Sequence, residues 1–145
     1  MKTIFFFLTL ALTLAAASVA NAATWMTDYD KALAQAKAQK KPIVVDFTGS
    51  DWCIWCMKLD KEVFSQPSFD TWAQKKVILL KLDFPRRSPQ SDAVKKANAA
   101  LAQQYNIEGF PTILILDENG KEKARTGYRQ GGADAYVKQL DSLIK

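Results

Sequence analysis

An α/β sandwich built around a central mixed sheet is the fold that the sequence predicts, and three observations predict it. Short apolar runs alternate with amphipathic helical segments, which implies parallel strand pairs joined by helical crossovers. The last two strand-like runs flank the turn signal Asp117-Glu118-Asn119-Gly120, which adds an antiparallel hairpin at one edge. A chain of 145 residues with 48% hydrophobic and 24% charged residues suits one soluble domain with a single core.

The elements follow in order. Thr27 is placed to cap a first helix, with Tyr29, Ala32, Leu33 and Ala36 at helical spacing and Pro42 closing it. Ile43 to Phe47 reads as a central strand, apolar except for Asp46. After Thr48-Gly49-Ser50-Asp51-Trp52 a second helix begins near Cys53, carrying Cys56, Leu59 and Val63 on one face. Gln66-Pro67-Ser68 breaks it, and Phe69 to Lys75 adds a short further helix. Val77 to Leu82 is a second buried strand, and Phe84 to Gln90, with paired Arg86 and Arg87, reads as a solvated connection, a partner-binding loop being the alternative. Ser91 or Asp92 caps a third main helix with Val94, Ala97, Leu101 and Tyr105 inward. Thr112 to Leu116 and Lys121 to Thr126 form the hairpin. A final helix follows Gly131-Gly132, with Val137, Leu140 and Ile144 on its apolar side.

The beginning of the chain reads differently. Lys2, the apolar stretch from Ile4 to Val19 and the small-x-small sequence Ala20-Asn21-Ala22 have the form of a signal peptide. The stretch is short against the roughly 20 residues that span a bilayer. We therefore expect cleavage after Ala22, a single domain over 23–145, and a periplasmic or secreted location. The net charge of +5 comes from lysines scattered among acids, without the clustered basic stripe of a nucleic-acid-binding surface.

Chemistry concentrates at Trp52-Cys53-Ile54-Trp55-Cys56. These are the two cysteines of the chain, and they sit between a buried strand and the helix it feeds. A bridge between them closes too short a loop to stabilise the fold much, so a purely structural disulfide explains the pair poorly. Helix N-terminal amides and the macrodipole favour a negative sulfur at that position. Cys53 is accordingly the expected solvent-facing attacking thiolate and Cys56 the resolving thiol tucked beneath it. Two thiolates supply half of a four-ligand zinc site, and the sequence has no histidine to complete it, so neither metal nor cofactor is expected.

With Gly109-Phe110-Pro111-Thr112 downstream and Asn119-Gly120 followed by Gly127, this motif resembles the thioredoxin superfamily over essentially all of the mature length. The stretch from Phe47 through Ser65 is more particularly similar to exported bacterial thioredoxin-like proteins. It also resembles the C-terminal thioredoxin-like domain of the membrane reductant carrier DsbD. The resemblance implies a three-layer thioredoxin-like sandwich and dithiol–disulfide exchange with protein or peptide disulfides. It further implies a cis bond before Pro111, which would set the Phe110 backbone beside the sulfurs for strand-like pairing with substrate.

Asp46 matches the family's buried acid, although one extra residue separates it from the first cysteine. The resemblance makes it a proton carrier for Cys56, acting through water, with its pKa raised by burial and Lys81 as its charge partner. Trp52 is expected to cover Cys53, Trp55 to offer substrate an exposed apolar platform, and Trp25 and Trp72 to serve packing. Ile54-Trp55, without histidine, and the like charge of Asp51 beside Cys53 point to a reducing couple. The expected direction is reductase or isomerase, with an external electron donor such as a membrane thiol–disulfide carrier and a monomeric protein. A binding or chaperone module with an idle disulfide is the alternative.

Overall fold

The structure, a computed structural model, describes residues 23–145. The expected signal peptide, residues 1–22, lies outside the described residues. A short edge strand β1 (Trp25–Met26) opens the fold and is followed by α1 (Tyr29–Gln39), β2 (Ile43–Thr48) and α2 (Ile54–Leu59). A π-helical turn (Asp60–Phe64) continues α2. Then come α3 (Pro67–Lys76), β3 (Ile78–Asp83), α4 (Asp92–Gln104), β4 (Thr112–Leu116), β5 (Glu122–Thr126) and α5 (Gly132–Leu143).

The five strands form one sheet in the order β1-β3-β2-β4-β5. β3 runs parallel to both β1 and β2, whereas β4 is antiparallel to β2 and to β5. This is the mixed sheet that the sequence predicts, with β1 added. Two apolar residues give no periodicity to read, and β1 is held by pairing Trp25 with Leu79 and Met26 with Leu80.

Alternation along the strands divides the core in two. Val44, Leu79, Ile113 and Ile115 turn to one face and pack with Leu59, Val63, Phe64, Phe69, Tyr136 and Leu140. Ile43, Val45, Phe47, Leu80 and Leu114 turn to the other and pack with Ala32, Ala36 and Tyr105. Asp46 and Lys81, paired in register across β2 and β3, share the face of Val44 and Leu79, which is the face that α2 covers. Phe47 pairs with Thr112, so the end of β2 that leads into the cysteine motif lies beside the start of β4 and hence beside Pro111.

Two local expectations need correction. Asp28, not Thr27, caps α1, its carboxylate accepting the Lys31 N–H at 3.0 Å. In α4 the buried position belongs to Asn98, whose amide donates to the Asp83 carbonyl at 3.0 Å, while Val94 is 40% exposed and Ala97 is also exposed. Both small side chains line an open cleft of about 530 Å³ against Tyr29 and Leu82 instead of entering the packed core. In α5 the expected apolar side is borne out: Leu140 is buried, Val137 and Ile144 pack against the same core, and Tyr136 joins them.

Candidate active site

Cys53 sits at the N-cap of α2, where its sulfur accepts the Cys56 N–H at 3.2 Å. The turn before it is closed by the Cys53 N–H donating to the Gly49 carbonyl at 2.9 Å. Cys53 and Cys56 form a disulfide across a Cα separation of 5.2 Å, within the range such a bond requires. Both are largely covered in this oxidised form, Cys53 being 6% and Cys56 4% exposed. Surface access therefore distinguishes the two sulfurs less than the sequence suggests. Their surroundings distinguish them better: Cys56 accepts the Gly49 N–H at 3.5 Å and lines an internal cleft that Cys53 does not line.

That cleft, about 170 Å³, is shared by Asp46, Thr48, Ser50, Cys56, Asp60 and Lys81. Asp46 is 4% exposed, and its Oδ1 has no hydrogen-bond partner. Burial pushes its pKa up to about 7; Lys81 opposes the rise, and the charges of Asp60 and Asp83 add to it. A carboxyl balanced near neutrality can both take and return a proton. Lys81 lies on the expected face, but its ion pair is to Asp60 at 3.5 Å, and no hydrogen bond joins it to Asp46. Its stem continues over Trp25, with Nζ 5.2 Å from the ring centroid. Asp60 was missed by the sequence analysis. The available signal was its place one helical turn after Cys56, which sets both residues over the same cleft.

The rim is aromatic. The Phe110–Pro111 peptide bond is cis. Phe110 meets Trp52 edge to face at 5.8 Å and Phe84 at 5.1 Å. Trp52 Nε1 donates to the Phe84 carbonyl at 2.8 Å, and the indole occupies the space that any side chain at Gly49 would need. Ile54, Trp55 and Met57 are 70%, 51% and 44% exposed, so the helix bearing the disulfide presents an apolar surface. Trp55 rests against Tyr128 at 5.2 Å, with Lys58 over both rings. Trp25 and Trp72 sit in the aromatic packing around Phe69, as expected.

Asp51, two residues before Cys53, has a further engagement that the sequence does not predict: its carboxylate accepts the backbone N–H groups of Arg86, Arg87 and Ser88 at 2.7–2.9 Å. Those hydrogen bonds hold its pKa well below the usual carboxylate range. The segment 84–90 is thus fastened to the cysteine turn and is not a loose connection. Among the described residues, no group of three or more histidine, cysteine, aspartate or glutamate side chains is arranged to hold a metal ion.

A parallel–antiparallel sheet, a Cys-x-x-Cys disulfide opening a helix and a cis-proline turn beside it define a thioredoxin-like protein. The chain belongs to that family: the model of the thioredoxin-like domain matches residues 29–143. Among curated proteins it is 37% identical over 117 residues to the disulfide bond reductase DsbH of Chlamydia pneumoniae, covering 81% of this chain and 70% of the relative. It is 34% identical over 111 residues to the thiol:disulfide interchange protein DsbD of Klebsiella pneumoniae, covering 74% of this chain but 17% of that much longer protein. Among solved structures, a DsbH oxidoreductase superposes with a TM-score of 0.82 at 32% identity, covering 94% of both chains. The C-terminal domain of Neisseria meningitidis DsbD, at 20% identity and a TM-score of 0.61, shares the fold over 79% of this chain and 92% of its own. The chain is thus a homologue of thiol–disulfide oxidoreductases that keeps their cysteine pair.

Proposed function

We propose that this protein is an exported thiol–disulfide oxidoreductase that works in the reducing direction on protein or peptide disulfides. The observation that carries the proposal is the shared cleft, which puts the inner sulfur and a carboxyl of near-neutral pKa against the same small volume. In the forward reaction the Cys53 thiolate attacks a substrate disulfide and expels one substrate thiol, forming a mixed disulfide. Asp46 takes the proton of Cys56 through water in the cleft. The Cys56 thiolate then attacks Cys53, releasing the second substrate thiol and closing the Cys53–Cys56 bond. An external dithiol donor, such as a membrane thiol–disulfide carrier, restores the reduced pair.

Phe110 and Pro111 form the ledge along which an extended substrate segment pairs. Trp52 shields the sulfur that receives it, and the exposed Trp55 supplies an apolar contact. Lys81, held by Asp60, steadies the charge on Asp46. The reducing direction is supported by Ile54-Trp55, since no histidine cation is present to stabilise the thiolate and favour oxidation of substrates.

Three measurements test this reading. Reduction of insulin by the purified protein should be lost in Cys53→Ser; activity surviving that change would favour a binding module with an idle disulfide. Cys56→Ala should accumulate covalent substrate adducts, and their absence would overturn the roles given to the two sulfurs. The equilibrium potential should fall below about −200 mV, whereas a value near the −120 mV of a strong periplasmic oxidant would reverse the direction.

A further inference from the structure

We propose that Arg86 is a specificity determinant that selects substrates carrying a carboxylate beside the disulfide under attack. The inference rests on the reductase reading above and adds a substrate class to it. Its starting point is a guanidinium that is held in place yet unpaired. Arg86 Cζ lies 3.6 Å from the centroid of the Trp52 ring, a stacked arrangement at the residue immediately before Cys53. The side chain is exposed, and among the described residues no acid forms an ion pair with it.

Each support beneath it is fixed. The Arg86 N–H is held by Asp51 at 2.9 Å, and the neighbouring N–H groups of Arg87 and Ser88 occupy the other oxygen of the same carboxylate. Asp51 is therefore already engaged with the backbone, and Asp83, the nearest acid in sequence, accepts from the Ser50 N–H at 2.9 Å and the Ser50 hydroxyl at 2.6 Å. Trp52, the surface on which the guanidinium rests, is pinned by the Phe84 carbonyl and by the edge of Phe110.

A guanidinium lying flat on an aromatic ring keeps its N–H donors in the exposed plane, where they match a carboxylate in a two-point fork. Preorganisation of this kind lowers the ordering cost that makes most surface ion pairs weak. Arg125 shows the contrast within the same molecule. Its Nε and a terminal nitrogen both donate to Glu122 at 2.7 Å, so its fork is filled. The fork of Arg86 is open, on a guanidinium stacked against Trp52, the residue immediately before Cys53.

The carboxylate has two possible sources: an acidic side chain next to the reacting cysteine of a protein, or the carboxylates of oxidised glutathione. The experiment separates them. Fully reduced protein is mixed with two short peptide disulfides that differ only by Glu or Gln next to cysteine, and in parallel with oxidised glutathione or its ethyl ester. Each turnover converts one substrate disulfide and the Cys53–Cys56 dithiol into two substrate thiols and the Cys53–Cys56 disulfide. Two electrons pass, and no other reductant is needed.

We expect the bimolecular rate constant for the Glu peptide to exceed that for the Gln peptide about three- to fivefold in low salt. Arg86→Gln should bring the ratio close to one, and Arg86→Lys should leave an intermediate ratio, because an ammonium keeps the charge without the planar fork. Arg87→Gln should leave the ratio as it is. A matching preference for glutathione over its ester, also lost in Arg86→Gln and without preference between the peptides, would assign the carboxylate to the small molecule. Equal rates for every pair with the unaltered protein, or a ratio unmoved by Arg86→Gln, would overturn the inference and leave the reductase reading intact. Failure to reduce any of the four substrates would sink both.

Discussion

Asp46 on the floor of the disulfide site and Asp51 on its rim are treated in opposite ways. Asp46, on the floor, is enclosed between sheet and helix with one carboxylate oxygen unpartnered, and burial lifts its pKa to about 7. Asp51, on the rim, is the acceptor of three backbone N–H groups, which drive its pKa down. A carboxylate given donors becomes a fastener with a fixed charge. One denied donors is held near neutrality, as the proposed proton transfer requires, and the fold bears the cost of keeping it.

The largest expected effect tests that cost. Asp46 has a folded-state pKa above its ordinary 3.8, so between about pH 4 and pH 7 the folded protein holds a proton that the unfolded chain has lost. Stability contributed by this group is present at low pH and drains away as pH rises through 7. A shift to about 7 corresponds to roughly 4 kcal/mol, less whatever void a smaller side chain leaves. Asp46→Ala should therefore stabilise the oxidised protein by about 2–4 kcal/mol at pH 8 and by little at pH 4, measured by urea unfolding. Insulin reduction should fall about tenfold or more at pH 7, with a smaller deficit at pH 9, where hydroxide can serve as the base. Equal stability changes at both pH values would show that Asp46 is not charged at a cost.

Next in size is a change that joins the two regions. A Cβ at position 49 would lie 2.5 Å from the Trp52 indole. Gly49→Ala should cost about 1–3 kcal/mol, the usual price of overpacking, and should expose Trp52, seen as a red shift of its fluorescence. An unshifted spectrum would mean that the indole is not seated on Gly49.

How far the sequence revealed these regions follows from the same physics. Asp46 was legible because an acid inside Ile43–Phe47 breaks an apolar run, and Pro111 was legible through its motif. The turn before Cys53, closed by the Gly49 carbonyl, is a backbone arrangement no side-chain pattern announces. The π-helical turn that Asp60 begins was not legible, because Leu59, Val63 and Phe64 fit the spacing of an uninterrupted α-helix equally well. The backbone partners of Asp51 were not legible for a related reason: they lie in segment 84–90, far along the chain. The apolar spacing of α4 likewise gave no notice that Asn98 would take the inward place by bonding to the end of β3.

Smaller effects of opposite sign should separate the charges around the floor. The groups facing Asp46 are Lys81, Asp60 and Asp83, together with Tyr136, whose own pKa is raised chiefly by burial and also by Asp46. Lys81→Met removes the cation and should move the Asp46 titration upward. Asp60→Asn removes a like charge and releases Lys81 from its ion pair, and should move it downward. Each displacement should be on the order of one pH unit or less, read from the carboxyl resonance of Asp46 by NMR. Shifts of the same sign in both variants would contradict the assigned geometry.

The smallest effect belongs to the rim and is local. Because the pKa of Asp51 is depressed, its contribution is present at neutral pH and is lost only as acid titrates the folded carboxylate, well below the window in which Asp46 changes. Asp51→Ala removes the acceptor for three amides at once, so exchange of the Arg86, Arg87 and Ser88 N–H groups should quicken by about tenfold or more, while amides of the central strands keep their protection. The titration of Asp46 should hardly move, since the two carboxylates act on different segments. A large shift at Asp46 in this variant would show that floor and rim are one electrostatic unit. Faster exchange confined to residues 86–88 would show that the acid nearest Cys53 in sequence acts by ordering the segment at the entrance to the site.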